Sequence, residues 1–112
     1  LLLALAPLAA HAQARPTAAE LRREFDATLR EAQDGIASLR AQYPGRADLE
    51  SVRRQLDQVA EWTRGGRRPG AYQVKLLSFG VIAAREIEPL DLPLARKLQA
   101  LAHYLTYWPR SR

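Results

Sequence analysis

The side chains that could do chemistry are few. Two histidines occur, His11 and His103, and there is no cysteine. His103 has the apolar or aromatic Ala102 and Tyr104 on either side and no acidic residue within a helical turn. It therefore lacks the orienting partner that a general base requires. Glu86, Glu88 and Asp91 lie close enough in sequence to suggest a working carboxylate pair. However, residues two apart cannot share a helix face, and an exposed acidic helix end is the commoner arrangement. No glycine-rich phosphate loop follows a strand, and no His/Asp group has metal-ligand spacing. The absence of cysteine excludes thiolate zinc sites, iron–sulfur centres, disulfides and cysteine nucleophiles. These features predict no enzyme, no metal and no cofactor.

The charge layout offers a binding surface instead. Residues 15–61 carry eight basic and nine acidic side chains, a balance expected of solvated, salt-bridged helix faces. Basic residues are in excess in the loop Arg64-Gly65-Gly66-Arg67-Arg68-Pro69-Gly70 and towards the chain's end, at Arg96, Lys97, Arg110 and Arg112. The net charge of +5 could steer an acidic partner. Nucleic-acid binding would need a contiguous basic face with groove-entering helices or stacking aromatics, and this pattern predicts no nucleic-acid partner. Tyr104, Tyr107 and Trp108 form an aromatic group that fits two readings: an exposed contact surface, or a Trp108 that closes the end of a bundle with one tyrosine left outside.

The elements that must hold these residues are helical. Thr17 and Glu20 fit a capping box. Leu21, Phe25, Leu29, Ala32, Ile36, Leu39 and Tyr43 then recur at steps of three and four, a single helical stripe ended by Tyr43-Pro44-Gly45. A second stripe, Leu49, Val52, Leu56, Val59 and Thr63, starts after Asp48 as a candidate cap and stops at Gly65-Gly66, with a Glu50–Arg54 pair expected on its outer face. The short connection predicts an antiparallel hairpin. Trp62 falls off the stripe and reads as a partly buried lid.

Residues 71–88 are rich in strand formers, but alternation fails at Leu76-Leu77 and a lone strand would have no partner. The segment therefore reads as a helix with two stripes, Tyr72, Leu76, Phe79, Ala83, Ile87 and Val74, Leu77, Val81, Ala84, apolar on most sides, in which Gly80 would allow a close approach. The last helix starts near Asp91 and Pro93, carries Leu94, Leu98, Leu101, Leu105 and Trp108, and ends at Pro109. The fold class is thus all-α, a small antiparallel four-helix bundle occupying residues 15–112.

At 112 residues the chain holds one domain. Residues 1–14, Leu-Leu-Leu-Ala-Leu-Ala-Pro-Leu-Ala-Ala-His-Ala-Gln-Ala, carry no charge. The apolar run has the length of a signal-peptide core and Ala12-Gln13-Ala14 fits a signal peptidase, which predicts cleavage after Ala14 and a periplasmic domain with no membrane attachment. A start residue and a basic segment are expected upstream of Leu1. The other readings of these residues are a buried N-terminal helix or a misassigned start, the latter of which would leave the protein in the cytoplasm.

In order along the chain, Tyr43-Pro44-Gly45, Gln55-Leu56, Leu77-Ser78-Phe79-Gly80-Val81-Ile82-Ala83, Arg85-Glu86, and Asp91 and Leu94 leading to Leu98, Ala102 and Tyr104 resemble a family of bacterial type VI secretion immunity proteins. The similarity runs from about residue 27 to residue 105 and lies in order and spacing more than in any one motif. The resemblance implies a small helical antidote, without catalysis of its own, whose partner is a cognate effector toxin; the family neutralises a toxin that hydrolyses NAD(P). The expected toxin-binding residues are Arg67, Arg68, Glu86, Glu88 and Asp91, because loop and helix-end charges are free to pair across an interface. A leader is at odds with a toxin that consumes cytoplasmic dinucleotides. The two are reconciled by a spurious leader or by a different toxin acting in the periplasm. An exported adaptor or chaperone-like module is the alternative function.

Overall fold

The computed structural model describes residues 15–109. The leader, its cleavage point, and Arg110 and Arg112 lie outside them. Among the described residues every regular element is helical.

Helix α1 spans Ala18–Gln42. Its start is the expected capping box: Glu20 N–H donates to Thr17 Oγ1 and Thr17 N–H donates to Glu20 Oε1, both at 3.1 Å. Phe25, Leu29, Ala32, Ile36 and Leu39 are buried along one side. The chain then turns through Tyr43-Pro44-Gly45, where Gly45 takes φ +83°, a conformation that favours glycine.

Helix α2 spans Ala47–Trp62 and buries Leu49, Val52, Leu56 and Val59. Two local expectations fail here. Arg46, not Asp48, is the capping residue; Asp48 sits inside the first turn, where it accepts from Leu49 N–H at 2.8 Å and pairs with Arg46. Glu50 pairs with Arg40 of α1 and with Arg53 instead of Arg54, because the hairpin places the α1 guanidinium beside it. Trp62 is half-buried against the core, as a lid residue should be.

The cross-links between α1 and α2 run in opposite directions along the two helices. Arg40 meets Glu50, Gln33 Nε2 donates to Asp57 Oδ1 at 3.2 Å, and Arg22 Nη2 donates to the Thr63 carbonyl at 2.6 Å. The hairpin is antiparallel. The last helix, α5 (Leu92–Thr106), also runs antiparallel to α1. Tyr104 stacks on Phe25, Lys97 lies 3.6 Å from Glu31, and Leu94 abuts Gly35. A Cβ at Gly35 would come within 2.8 Å of Leu94 Cδ1. The glycine that weakens the helix by about 1 kcal/mol relative to alanine is thus what lets these two helices close.

The third segment departs most from expectation. After the 3-10 turn Arg64–Gly66 and an extended stretch, it forms the short helix α3, Ala71–Lys75, breaks at Leu76-Leu77-Ser78, and resumes as α4, Phe79–Ile82. α4 runs directly into a π-helical turn, Ala83–Ile87, closed by the bond from Glu88 N–H to the Ala83 carbonyl at 2.9 Å. The break has an identifiable cause. Gln55 of α2 accepts from Ser78 N–H at 2.7 Å and donates from Nε2 to Ser78 Oγ at 3.0 Å. A side chain thereby takes the backbone donor that a continuous helix would have used.

The break sets the two halves out of phase. Phe79, Ala83 and Ile87 are fully buried, but Tyr72 and Leu76 of the same expected stripe are 74% and 61% exposed. In the second expected stripe Val81 and Ala84 are exposed and Val74 and Leu77 half-buried. Gly80 behaves as expected: its Cβ would come within 3.0 Å of the Ala102 Cβ.

Helix α5 spans Leu92–Thr106. Asp91 caps it, accepting from Leu94 N–H at 3.1 Å, with Pro93 in the first turn. It buries Leu94, Ala95, Leu98, Leu101 and Leu105 at the centre of the body.

Two substitutions separate the core from the clamp. Phe79→Ala should lower stability by about 3–5 kcal/mol, the usual cost of emptying a buried aromatic site. Gln55→Ala should cost about 2 kcal/mol, roughly 1 for each of its two bonds to Ser78. Urea unfolding followed by helical circular dichroism at neutral pH measures both, and a Gln55 effect as large as that of Phe79 would contradict this account of the break.

Candidate partner-binding surface

The five charged residues expected to form the binding site fall into two groups at opposite ends of α2. Arg67 and Arg68 are exposed on the stretch after its C-terminus. Glu86, Glu88 and Asp91 gather near its N-terminus, where Glu86 lies 3.7 Å from Arg46. Sixteen residues of helix separate the groups, about 24 Å at the usual rise. The structure does not bring them together.

Their present partners also differ. Asp91 is occupied in capping α5, and Glu88 Oε2 accepts from Gln99 Nε2 at 2.8 Å. Among the described residues Glu86 makes only the long contact with Arg46. Arg67 donates to the Arg64 carbonyl at 3.4 Å, while Arg64 pairs with Glu61. Arg68 has no carboxylate partner among the described residues.

At the Glu86 end, Arg46 is the organising group. It forks onto Asp48 through Nε–Oδ1 at 3.1 Å and Nη2–Oδ2 at 2.6 Å, and its guanidinium carbon lies 5.9 Å from the Tyr43 ring centre. The hydrogen bonds to Asp48 raise the Arg46 pKa, and the same bonds hold the Asp48 carboxyl below its usual range. The Arg40 hydrogen bond lowers the Glu50 carboxyl in the same way.

The aromatic group resolves into the bundle-closing arrangement. Tyr104 stacks on Phe25 with ring centres 4.5 Å apart, and Trp108 stands edge-on to Tyr104 and Phe25 at 4.9 and 5.9 Å. Arg22 lies 5.5 Å from the Trp108 ring centre. Burial pushes the Tyr104 phenol above its usual pKa. Only Tyr107, 69% exposed, points away, beside His103.

Sequence patterning missed an open, largely apolar region. A groove of about 360 Å³ runs between the broken third segment and α5, bordered by Val74, Leu77, Gly80, Val81, Ala102 and Thr106. A second recess, about 460 Å³, shares Val74, Leu105 and Thr106 with it and extends to Arg68 and Lys75. The available signal was the excess of apolar residues in 71–88 over what one buried face requires. Among the described residues no His, Cys, Asp and Glu group could hold a metal ion, and no helix is long and apolar enough to cross a membrane.

The sequence matches the Tsi6 family over residues 20–106, from the first turn of α1 to the end of α5. The chain belongs to the Tsi6 family. Tsi6 proteins are type VI secretion immunity proteins, and that family is not one of enzymes. No curated protein and no solved structure matches the chain. The Tsi6 match covers both the Gln55–Ser78 clamp and the groove beside it. An immunity family implies a protein toxin as partner.

The depressed carboxyls give a pH dependence with a definite sign. A carboxyl whose folded pKa lies below its unfolded value stabilises the fold above the ordinary carboxylate range, and that contribution is lost as pH falls through the folded value. Lowering the pH from neutral through the carboxylate range should therefore reduce the urea midpoint. In the Asp48→Asn/Glu50→Gln variant the dependence should be flatter. An equally steep profile in the variant would show that these pairs are not its source.

Proposed function

We propose that this Tsi6-family protein binds one cognate effector toxin of a type VI secretion system and neutralises it by covering the toxin's active site or the approach to it. The family match along the whole helical body carries this reading. The protein acts by occlusion and needs no reaction of its own. A small body held by a continuous core and closed at both ends by arginine contacts suits that role, since a partner that is already ordered loses little entropy on docking. The family's link to NAD(P)-hydrolysing toxins makes that activity the first to test.

The test is coexpression with the effector encoded beside this gene. Growth arrested by the effector should be restored by this protein, and the two should elute as one stoichiometric complex. Persistent toxicity without a complex would overturn the reading. Weak binding to many unfolded clients, with no stable partner, would favour an exported adaptor.

We also propose that residues 1–14 are an export leader, which would put the antidote in the periplasm. The uncharged apolar run and Ala12-Gln13-Ala14 support this. Intact mass of the protein from a periplasmic extract should correspond to a chain starting at Arg15. Recovery from the cytoplasm with the leader retained would instead match a toxin that acts on cytoplasmic dinucleotides.

A further inference from the structure

The groove between the broken third segment and α5 has a definite polarity. Along it lie the half-buried Val74 and Leu77, with the 56% exposed Val81 at its edge. Leu76 and Tyr72, on the same segment, are more exposed still. Val74 and Leu77 lean on the core with one side and face the groove with the other, whereas Tyr72, Leu76 and Val81 lie outside the core, which the same segment supplies through Phe79, Ala83 and Ile87. Such apolar exposure on a small soluble domain marks a contact surface more often than not.

Charge then narrows the occupant. Residues 62–85 contain Arg64, Arg67, Arg68, Lys75 and Arg85 and no acidic residue. Arg64 is engaged by Glu61. Arg68 and Lys75 border the recess continuous with the groove and have no carboxylate partner among the described residues. At the other end, Gln99 borders the groove and holds the carboxylate of Glu88. The groove is therefore apolar along its length, cationic at one end, and has its nearest held carboxylate at the other.

Resting on the immunity reading above, we infer that this groove receives an amphipathic segment of the toxin, apolar on the side it lays down and carrying carboxylates at the end that reaches Arg68 and Lys75. Val81, Leu77 and Val74 supply the apolar contact, and the two cations fix the direction of the segment and speed its encounter. Of the five charged residues singled out from the sequence, Arg68 alone borders this surface directly, and Glu88 bears on it through Gln99.

The purified toxin domain of the neighbouring effector is the probe, with binding to the full chain measured by interferometry at two salt concentrations. Arg68→Glu/Lys75→Glu should slow association and weaken the complex ~10-fold or more, and should remove most of its salt dependence. Val81→Glu should weaken it to a similar extent by placing a charge on the groove's apolar edge. Arg54→Glu, a reversal of the same kind on the exposed side of α2, should leave affinity within about twofold, as expected of a charge outside the interface. Circular dichroism checks folding, and Thr106→Glu, at an exposed position that borders both the groove and the recess, replaces Val81→Glu if that chain fails to fold. Wild-type affinity in the groove variants would overturn the surface and leave the immunity function standing. No complex with the wild-type chain would overturn the function, and the groove's occupant with it.

Discussion

Phe79, Ala83 and Ile87 must reach one line of the core from a single short segment, and the remainder of the fold is arranged around that requirement. In an α-helix each four-residue step overshoots the starting direction by about 40°, so three such residues drift round the helix. The π-turn at Ala83–Ile87 takes an additional residue into the turn and reduces that drift. The segment must also begin at the right angle. Gln55 sets it by holding both the N–H and the hydroxyl of Ser78, while Gly80 lets α4 lie against Ala102 of α5. Burial supplies the stability, and the clamp and the wide turn set the geometry in which the three side chains reach it.

The ends of the bundle are joined by arginines acting in different ways. Arg22 carries one guanidinium to three places: Asp26 on α1, the carbonyl of Thr63 that caps α2, and the face of Trp108 beyond α5. Its position at the C-terminus of α2 also places positive charge where the helix dipole is negative. Arg46 instead links the turn after α1, the first turn of α2 and the π-turn through Tyr43, Asp48 and Glu86. These contacts are partly solvated, so each adds little stability compared with the core. They fix where the helix ends sit, which matters more for a surface that must match a partner's shape.

Helical periodicity makes α1, α2 and α5 legible because each presents one apolar stripe to one core, and the caps at Thr17 and Asp91 are written in local sequence. Residues 71–88 are legible only in composition. A break there depends on Gln55, twenty-three positions away from Ser78, and no local pattern encodes that distance. Once the helix is interrupted, the phase linking Tyr72 and Leu76 to Phe79 is lost, so their exposure could not follow from spacing. The candidate site suffers from the same limit. Arg67 and Arg68 are close in sequence number to Glu86, yet α2 holds them at opposite ends of the body.

The interrupted segment also shows why an antidote of this size need not trade stability against binding. A continuous amphipathic helix would spend its apolar residues on the core and present a polar back to solvent. Breaking it at Leu76-Leu77-Ser78 frees Tyr72 and Leu76 from the core without leaving the core short, because Phe79, Ala83 and Ile87 still fill it, and Val81 stands on the outer face of α4. Substitutions on the outer half can then alter the surface offered to a toxin while touching no buried side chain. The inner half stays fixed by close packing, where even one methylene is felt. An immunity family whose partners change could vary the first set and hold the second, and the Gln55–Ser78 clamp is the joint that keeps the two independent.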